Sequence, residues 1–388
     1  MTDETWVCSV LTFTLEDGST SQAQGQVSVT SLGRVELTAN FIGFVDLNSF
    51  TSGQTVTGTA ENGFTIAATG VYPDQSNYEP STNTTHAIFM PLDCKLIGPG
   101  TEPVTRQEIY VKSLQVAGRC SFSDGTTNYH IRTLPDANNR RKDTVRAILH
   151  TSSAVDFDIV LQLLSLAQRC IIRSPLRKYY SSSGLKMIHL VPSERPDRVT
   201  HPLIPWFGTE LAEFMSQALK TFPSISTALE LNRLIDIYCL SVTADYYETK
   251  FIFASVFMEG IKFYWAMNIA KKTPDYNARG LVRGFEKRRN KNGKPILYTF
   301  EELLNEMCRS YGLNLEFTFI DDRNALFHTG APGAYQLGSD DSWQAIQPEL
   351  SRLYRQIDQI LLTLLKYNGP IHYWDTPNQT DRWPHHGS

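Results

Sequence analysis

Arg323, Asn324 and His328 fall inside the short stretch Phe319-Ile320-Asp321-Asp322-Arg323-Asn324-Ala325-Leu326-Phe327-His328-Thr329-Gly330. A guanidinium offers a fixed fork of donors that suits a phosphate. An imidazole near its reference pKa takes or gives a proton at neutral pH. Together they are the minimum set for attack of a ribose 2′-hydroxyl on its own phosphodiester without a metal. If the stretch is helical, Asn324 and His328 stand four apart and share a face. Arg323 lies about 140° round an ideal helix from His328, and its long side chain reaches toward the same pocket. Each residue also has a plainer reading. Arg323 could pair with Asp321 or Asp322 at the surface, Asn324 could be a cap, and His328 could end a helix against its dipole before Gly330.

Helical patterns surround the stretch. Residues 207–221 place Leu211, Phe214, Met215 and Leu219 on one stripe, and Pro223-Ser224 is expected to end that helix. A second pattern covers 226–242. The longest, 245–272, carries Phe251, Ile252, Ser255, Val256, Glu259, Lys262, Phe263 and Ala266 at threes and fours, the spacing of a core stripe. Thr299 and Glu302 read as a capping box opening a helix that ends at Gly312. A final pattern covers 343–367. Helices joined by short loops predict a bundle. Glu259 sits among apolar neighbours, where a lone carboxylate is costly unless paired. Two outcomes stand open: a groove or neighbouring helix satisfies it, or it pairs with Arg323 across the bundle. Glu259 and Asp322 are thus the carboxylates that could support the arginine.

The spelling Arg323-Asn324-x-x-x-His328 resembles the R-x4–6-H signature of HEPN domains, including the polar residue after the arginine. The hydrophobic run before it and the apolar pair, histidine and glycine after it are most similar to the ApeA-like branch. The resemblance covers about residues 206–372. It implies an all-helical bundle and a metal-independent endoribonuclease of antiviral-defence or toxin type, without cofactor, cutting RNA or tRNA. It also implies a homodimer in which two copies of the motif meet, with Arg323 on the phosphate, His328 as general base or acid, and Asn324 orienting one of them. A 2′,3′-cyclic phosphate and a 5′-hydroxyl would be the product ends.

The tract Arg283-Gly284-Phe285-Glu286-Lys287-Arg288-Arg289-Asn290-Lys291-Asn292-Gly293-Lys294 is a positive run in a chain of formal net charge −4. It reads as a loop, either merely solvated or a phosphate clamp for RNA through Lys287, Arg288, Arg289, Lys291 and Lys294. Phe285 and Tyr276 could stack on bases. The net charge argues against a chain that coats nucleic acid over its whole surface, though not against a local basic cleft.

Residues 1–145 have a different texture. The segment 34–41 alternates polar and apolar residues, 6–15 is rich in β-branched and aromatic residues, and 55–59, 64–68, 86–90, 109–116 and 130–133 add further strand candidates between turn clusters. A sandwich-like or barrel-like β domain is expected. The six cysteines show no CxxC pair, so no zinc site is predicted, and they read as reduced, buried thiols. No long apolar run or signal peptide is seen, which predicts a cytoplasmic protein with no membrane partner.

The expected organisation is α+β and multidomain: a β-rich sensing or regulatory domain over 1–145, a connecting segment with one helix over 146–205 after a charged linker at 136–143, a HEPN-like bundle over 206–372, and a tail over 373–388 holding His385 and His386. A phage-derived or cellular trigger would act on the first domain. Two other readings stay open: a non-catalytic HEPN-type RNA-binding or dimerisation adaptor, and a ligand-binding β domain with a helical scaffold.

Overall fold

The computed structural model describes residues 4–29, 35–46, 50, 54–134, 147–190, 201–329, 342–376 and 379–384, leaving aside the side chains of 326–329 and 342–346. The linker 136–143, Gly330, His385 and His386 lie outside the described residues. The architecture is α+β in two parts, an N-terminal large antiparallel sheet and a C-terminal helical region. Two compact units divide the chain. One comprises Met1–Leu114, Thr127–Asp156 and Arg173–Pro196; the other comprises Gln115–Thr126, Phe157–Ile172 and Asp197–Ser388.

The elements of the N-terminal half are β1 (Glu4–Thr14), β2 (Thr20–Val29), β3 (Val35–Ile42), β4 (Gln54–Ala60), β5 (Thr65–Glu79), β6 (Thr84–Met90), β7 (Asp93–Ile97), β8 (Arg106–Val111), β9 (Cys120–Ser123), β10 (Asn128–Thr133) and β11 (Ala147–Thr151). Then come α1 (Asp158–Gln168), β12 (Leu176–Ser181) and β13 (Gly184–Leu190). In the first unit β1 to β6 close into an antiparallel ring. β1 pairs with β2 and β4, β2 with β3, β3 with β6, and β5 with β6 and β4. Alternation drives this: every second residue of β3 from Val35 to Phe41 is buried. Inside the ring Phe13, Phe41, Phe50 and Phe89 pack with ring centroids as close as 4.8 Å.

The long β5 changes partners along its length. Its register shifts between Pro73 and Gln75, where the proline cannot donate to a ladder. Its first half also pairs with β7, and from there β13, β12, β8, β11 and β10 continue the sheet. The segment 146–205, expected to connect two halves, thus supplies three strands to the first unit and a helix to the second. Tyr179-Tyr180 and Met187-Ile188 are brief runs of β-formers beside charged residues, a weak strand signal that pairing with the neighbouring strands completes. All six cysteines are free and buried. Burial pushes Cys94 up to about 12, with Asp93 adding to it, and burial alone puts Cys120 at about 12. Neither supplies a thiolate at neutral pH.

The second unit holds α1, β9, α2 (Gly208–Leu229), α3 (Leu231–Thr243), α4 (Tyr247–Tyr264) running into a π-helical turn at Trp265–Ile269, and a small sheet of β14 (Pro274–Tyr276), β15 (Val282–Arg289) and β16 (Pro295–Leu297). Then follow α5 (Phe300–Ser310), α6 (Ile320–Thr329), α7 (Ser342–Leu364) and the pair β17 (Gly369–Ile371) and β18 (Asp381–Trp383). Helix α4 is the centre, packing against α2, α3, α5, α6 and α7. Pro223 does not end a helix: α2 runs through it and stops at Glu230, which has a left-handed φ of 51°. Phe222 and Leu229 on either side are both buried, and core packing outweighs the roughly 3 kcal/mol a helical proline costs.

Helix α1 is buried from Val160 to Gln168, and its C-cap Arg169 is 1% exposed. The Arg169 guanidinium donates to both carboxylate oxygens of Asp358 on α7, to the Tyr238 hydroxyl on α3 (3.1 Å), and to the main-chain carbonyls of His201 and His372 (2.9 Å each). Burial raises the Asp358 carboxyl, and Arg169 and the Tyr238 hydroxyl pull it back. This node fastens α1, α3 and α7. Where the expected tail begins, Tyr373 is fully buried beneath Arg355, and Trp374 meets Tyr354 edge-on at 5.1 Å.

Candidate active site

Ser255, Glu259 and Lys262 follow one another at i, i+4 and i+7 of α4, so they form one stripe. The buried Phe251, Ala254, Phe257, Met258 and Ile261 fix that helix in the core. Helix α6 approaches it after a cluster of rings, with Phe319 meeting Phe251, Phe300 and Phe317 at 6.1–6.5 Å. The first turn of α6 carries Asp321 and Asp322, which suits the positive end of its dipole. Helix α5 begins at the predicted capping box. The Thr299 side chain accepts from the Glu302 amide (3.1 Å), and Glu302 accepts from the Thr299 amide (3.1 Å). That cap fixes Phe300, the first residue of α5.

These three helices assemble the site. Arg323 Nη2 donates to Glu259 Oε2 at 3.1 Å, an ion pair that ties α6 to α4. Its Nη1 donates to Asn324 Oδ1 at 3.0 Å, and its guanidinium lies 4.5 Å from the centre of the Phe300 ring. Lys262 Nζ donates to Glu259 Oε1 at 2.8 Å and lies 4.7 Å from the same ring. One carboxylate therefore bridges two cations, through a separate oxygen to each. Burial lowers the Lys262 pKa, Glu259 partly restores it, and Arg323 lowers it again. The Arg323 side chain is 20% exposed and that of Glu259 46%.

Beside the cluster opens a pocket of about 240 Å³, lined by Ser255, Val256, Glu259, Gly260, Phe263, Tyr264 and Arg323. Gly260 lets α3 and α4 approach closely here, since a Cβ on it would meet Leu234 Cδ2 at 2.6 Å. Of the sequence-predicted residues, Arg323, Asn324 and Glu259 come together. Asp322 is half-buried in the first turn of α6. The backbone of α6 carries position 328 one turn beyond Asn324, and the His328 side chain lies outside the described residues. Lys262 and Phe300 were missed as site residues. Lys262 had been absorbed into an apolar stripe, although a lysine three after a glutamate is itself a pairing signal.

The basic tract is not a loop. It forms most of β15 and the turn that leads into β16, and β15 pairs with both β14 and β16. Charge along the strand hid its alternation, while Asn292-Gly293 in the turn was a legible hairpin signal. Lys287 is held by Glu302 at 2.6 Å, and Arg289 donates to both oxygens of Glu286 at 2.9 Å. Arg288, Lys291 and Lys294 are exposed, with no ion partner among the described residues. Phe285 is 3% exposed and packs 5.6 Å from Phe263, so it buttresses the pocket wall and offers no stacking face. Tyr276 is exposed.

No described helix is long and apolar enough to cross a membrane. Comparison with family models, with curated proteins and with solved structures finds no match.

Proposed function

We propose that the helical unit is a metal-independent endoribonuclease of HEPN type, and that Arg323, Asn324 and His328 carry its chemistry. The observation that supports this best is the setting of Arg323: a half-sheltered guanidinium beside an open pocket, held by Glu259 and Asn324 and stacked on Phe300. A guanidinium fixed in this way is oriented before substrate arrives, which is what stabilising charge on a phosphate in the transition state requires. Arg323 holds the scissile phosphate. His328 takes the proton of the 2′-hydroxyl or gives one to the 5′-oxygen that leaves. Asn324 and Glu259 position the guanidinium. Two copies of the chain pair through the face that bears α6, so that two motifs form one composite site. Arg288, Lys291 and Lys294 on the hairpin attract the RNA backbone, and the β unit responds to a cellular or phage-derived trigger in the cytoplasm.

Growth of a bacterial host tests this reading. Expression of the wild type should arrest growth, and His328→Ala at equal expression should not. Equal growth with both, or equal arrest, counts against the site. The engagement of Arg323 by Glu259 favours one second reading, an adaptor that binds RNA without cutting it. RNA binding with no turnover by wild type on any RNA would select it.

A further inference from the structure

Ser255 lies in the middle of α4 at 1% exposure, and its hydroxyl has no hydrogen-bond partner among the described residues. A helical serine commonly bonds the carbonyl one turn back. A buried hydroxyl left without a partner is destabilising, so its retention calls for a partner that arrives from outside the fold. The residue lines the pocket beside Arg323. Val256, Phe263 and Tyr264 supply the apolar walls, and the Phe263 and Tyr264 rings brace each other edge to face at 5.5 Å. At about 240 Å³ the space is smaller than the roughly 300–1,000 Å³ of drug-sized ligand sites. It fits one flat ring system, not a whole nucleotide. An unstacked base presents apolar faces that pack on aromatic rings and a polar edge that bonds hydroxyls and carboxylates.

We propose that this pocket is a nucleobase subsite. It takes one unstacked RNA base, with Ser255 Oγ and the Glu259 carboxylate on the polar edge of the base and Arg323 on the adjoining phosphate. The role given to Arg323 rests on the ribonuclease reading above; the pocket and its unpartnered hydroxyl do not. Glu259 oxygens already accept from Lys262 and Arg323, and each keeps a further lone pair. A carboxylate only accepts, so bases with an exocyclic amino group bind better than uracil, whose one edge N–H is bracketed by two repelling carbonyls.

The test is calorimetric titration of the full chain with GMP, AMP, CMP and UMP, and with ribose 5-phosphate as the baseless probe. GMP, AMP and CMP should bind at least about tenfold tighter than ribose 5-phosphate, with UMP weaker than the other three nucleotides. Ser255→Ala should weaken binding of the amino-bearing nucleotides about fivefold without lowering Tm. Val256→Trp, at a position 37% exposed and therefore safe for folding, should block them. Ribose 5-phosphate binding as tightly as the nucleotides, or nucleotide affinity unmoved in both folded variants, overturns the subsite. RNA cleavage assayed alongside separates the two claims. Cleavage whose base preference survives Val256→Trp removes the subsite and leaves the ribonuclease. Ser255-dependent nucleotide binding without cleavage of any RNA keeps the subsite and removes the ribonuclease.

Discussion

Replacing Arg169 by methionine should destabilise the helical unit by about 4 kcal/mol. Methionine fills much of the same space but donates nothing. The fully buried Asp358 carboxylate then keeps only the Tyr238 hydroxyl, and the carbonyls of His201 and His372 lose their donors. Stranding one member of a buried ion pair costs about 3–5 kcal/mol. Against a typical stability of about 5–15 kcal/mol, that is a large share of the whole. The pair itself is worth much less, because both groups gave up water to form it. Arg169→Met combined with Asp358→Leu should therefore cost less than Arg169→Met alone, which makes the coupling between the sites at least about 3 kcal/mol. Urea denaturation, followed by tryptophan fluorescence and far-ultraviolet circular dichroism, reads all four corners of the cycle. A single variant within about 1 kcal/mol of wild type, or additive single losses in the double variant, would refute the reasoning.

Three further outcomes follow from the same geometry. Burial first, and the Arg169 charge second, lower the pKa of His201 and His372 below the ordinary 6.5. A base whose pKa falls on folding binds fewer protons when folded, so stability is complete above about pH 6.5 and declines as the pH drops through that value toward the folded pKa. His201→Gln with His372→Gln should flatten the urea midpoint between about pH 7 and 5, and an unchanged slope contradicts the assignment. Thr299→Ala removes the cap of α5 and should cost about 1 kcal/mol in thermal unfolding; an unchanged Tm would mean that Lys287 holds Glu302 and α5 without it. Glutamine at Arg288, Lys291 and Lys294 should lower the salt slope of single-stranded RNA binding by about 2, from about 0.7 per phosphate contact. Glutamine at the already paired Lys287 and Arg289 should change it less, and the opposite ranking would move the RNA path away from the hairpin turn.

Much of this architecture was legible in the sequence because local chemistry and tertiary packing agree there. Alternation along 34–41 became β3, with one face in the ring, and Thr299 with Glu302 became the cap of α5. The readings that failed are those where a local signal lost to packing. Pro223 was read as a stop, but buried residues on both sides keep α2 intact. The charged tract looked like a loop, but Phe285 needs only one inward position to anchor β15. Arg169 and Asp358 lie 189 positions apart in separate apolar helices, and no spacing rule joins them. At the site, Arg323 and Glu259 were legible as a candidate pair. Lys262 and Ser255 were not, since a stripe at threes and fours looks the same whether it faces a core or a pocket.

The most direct test of the account is cleavage of single-stranded RNA in EDTA by the wild type, Arg323→Ala and His328→Ala, with chemical analysis of the product ends. Arg323 lies in a partly exposed pair worth no more than about 1 kcal/mol, so its loss should spare the fold and isolate the chemistry. The wild type should yield 2′,3′-cyclic phosphate and 5′-hydroxyl ends, and each variant should be slower by about a hundredfold or more. Equal rates in all three proteins, or products ending in a 3′-hydroxyl, would contradict it.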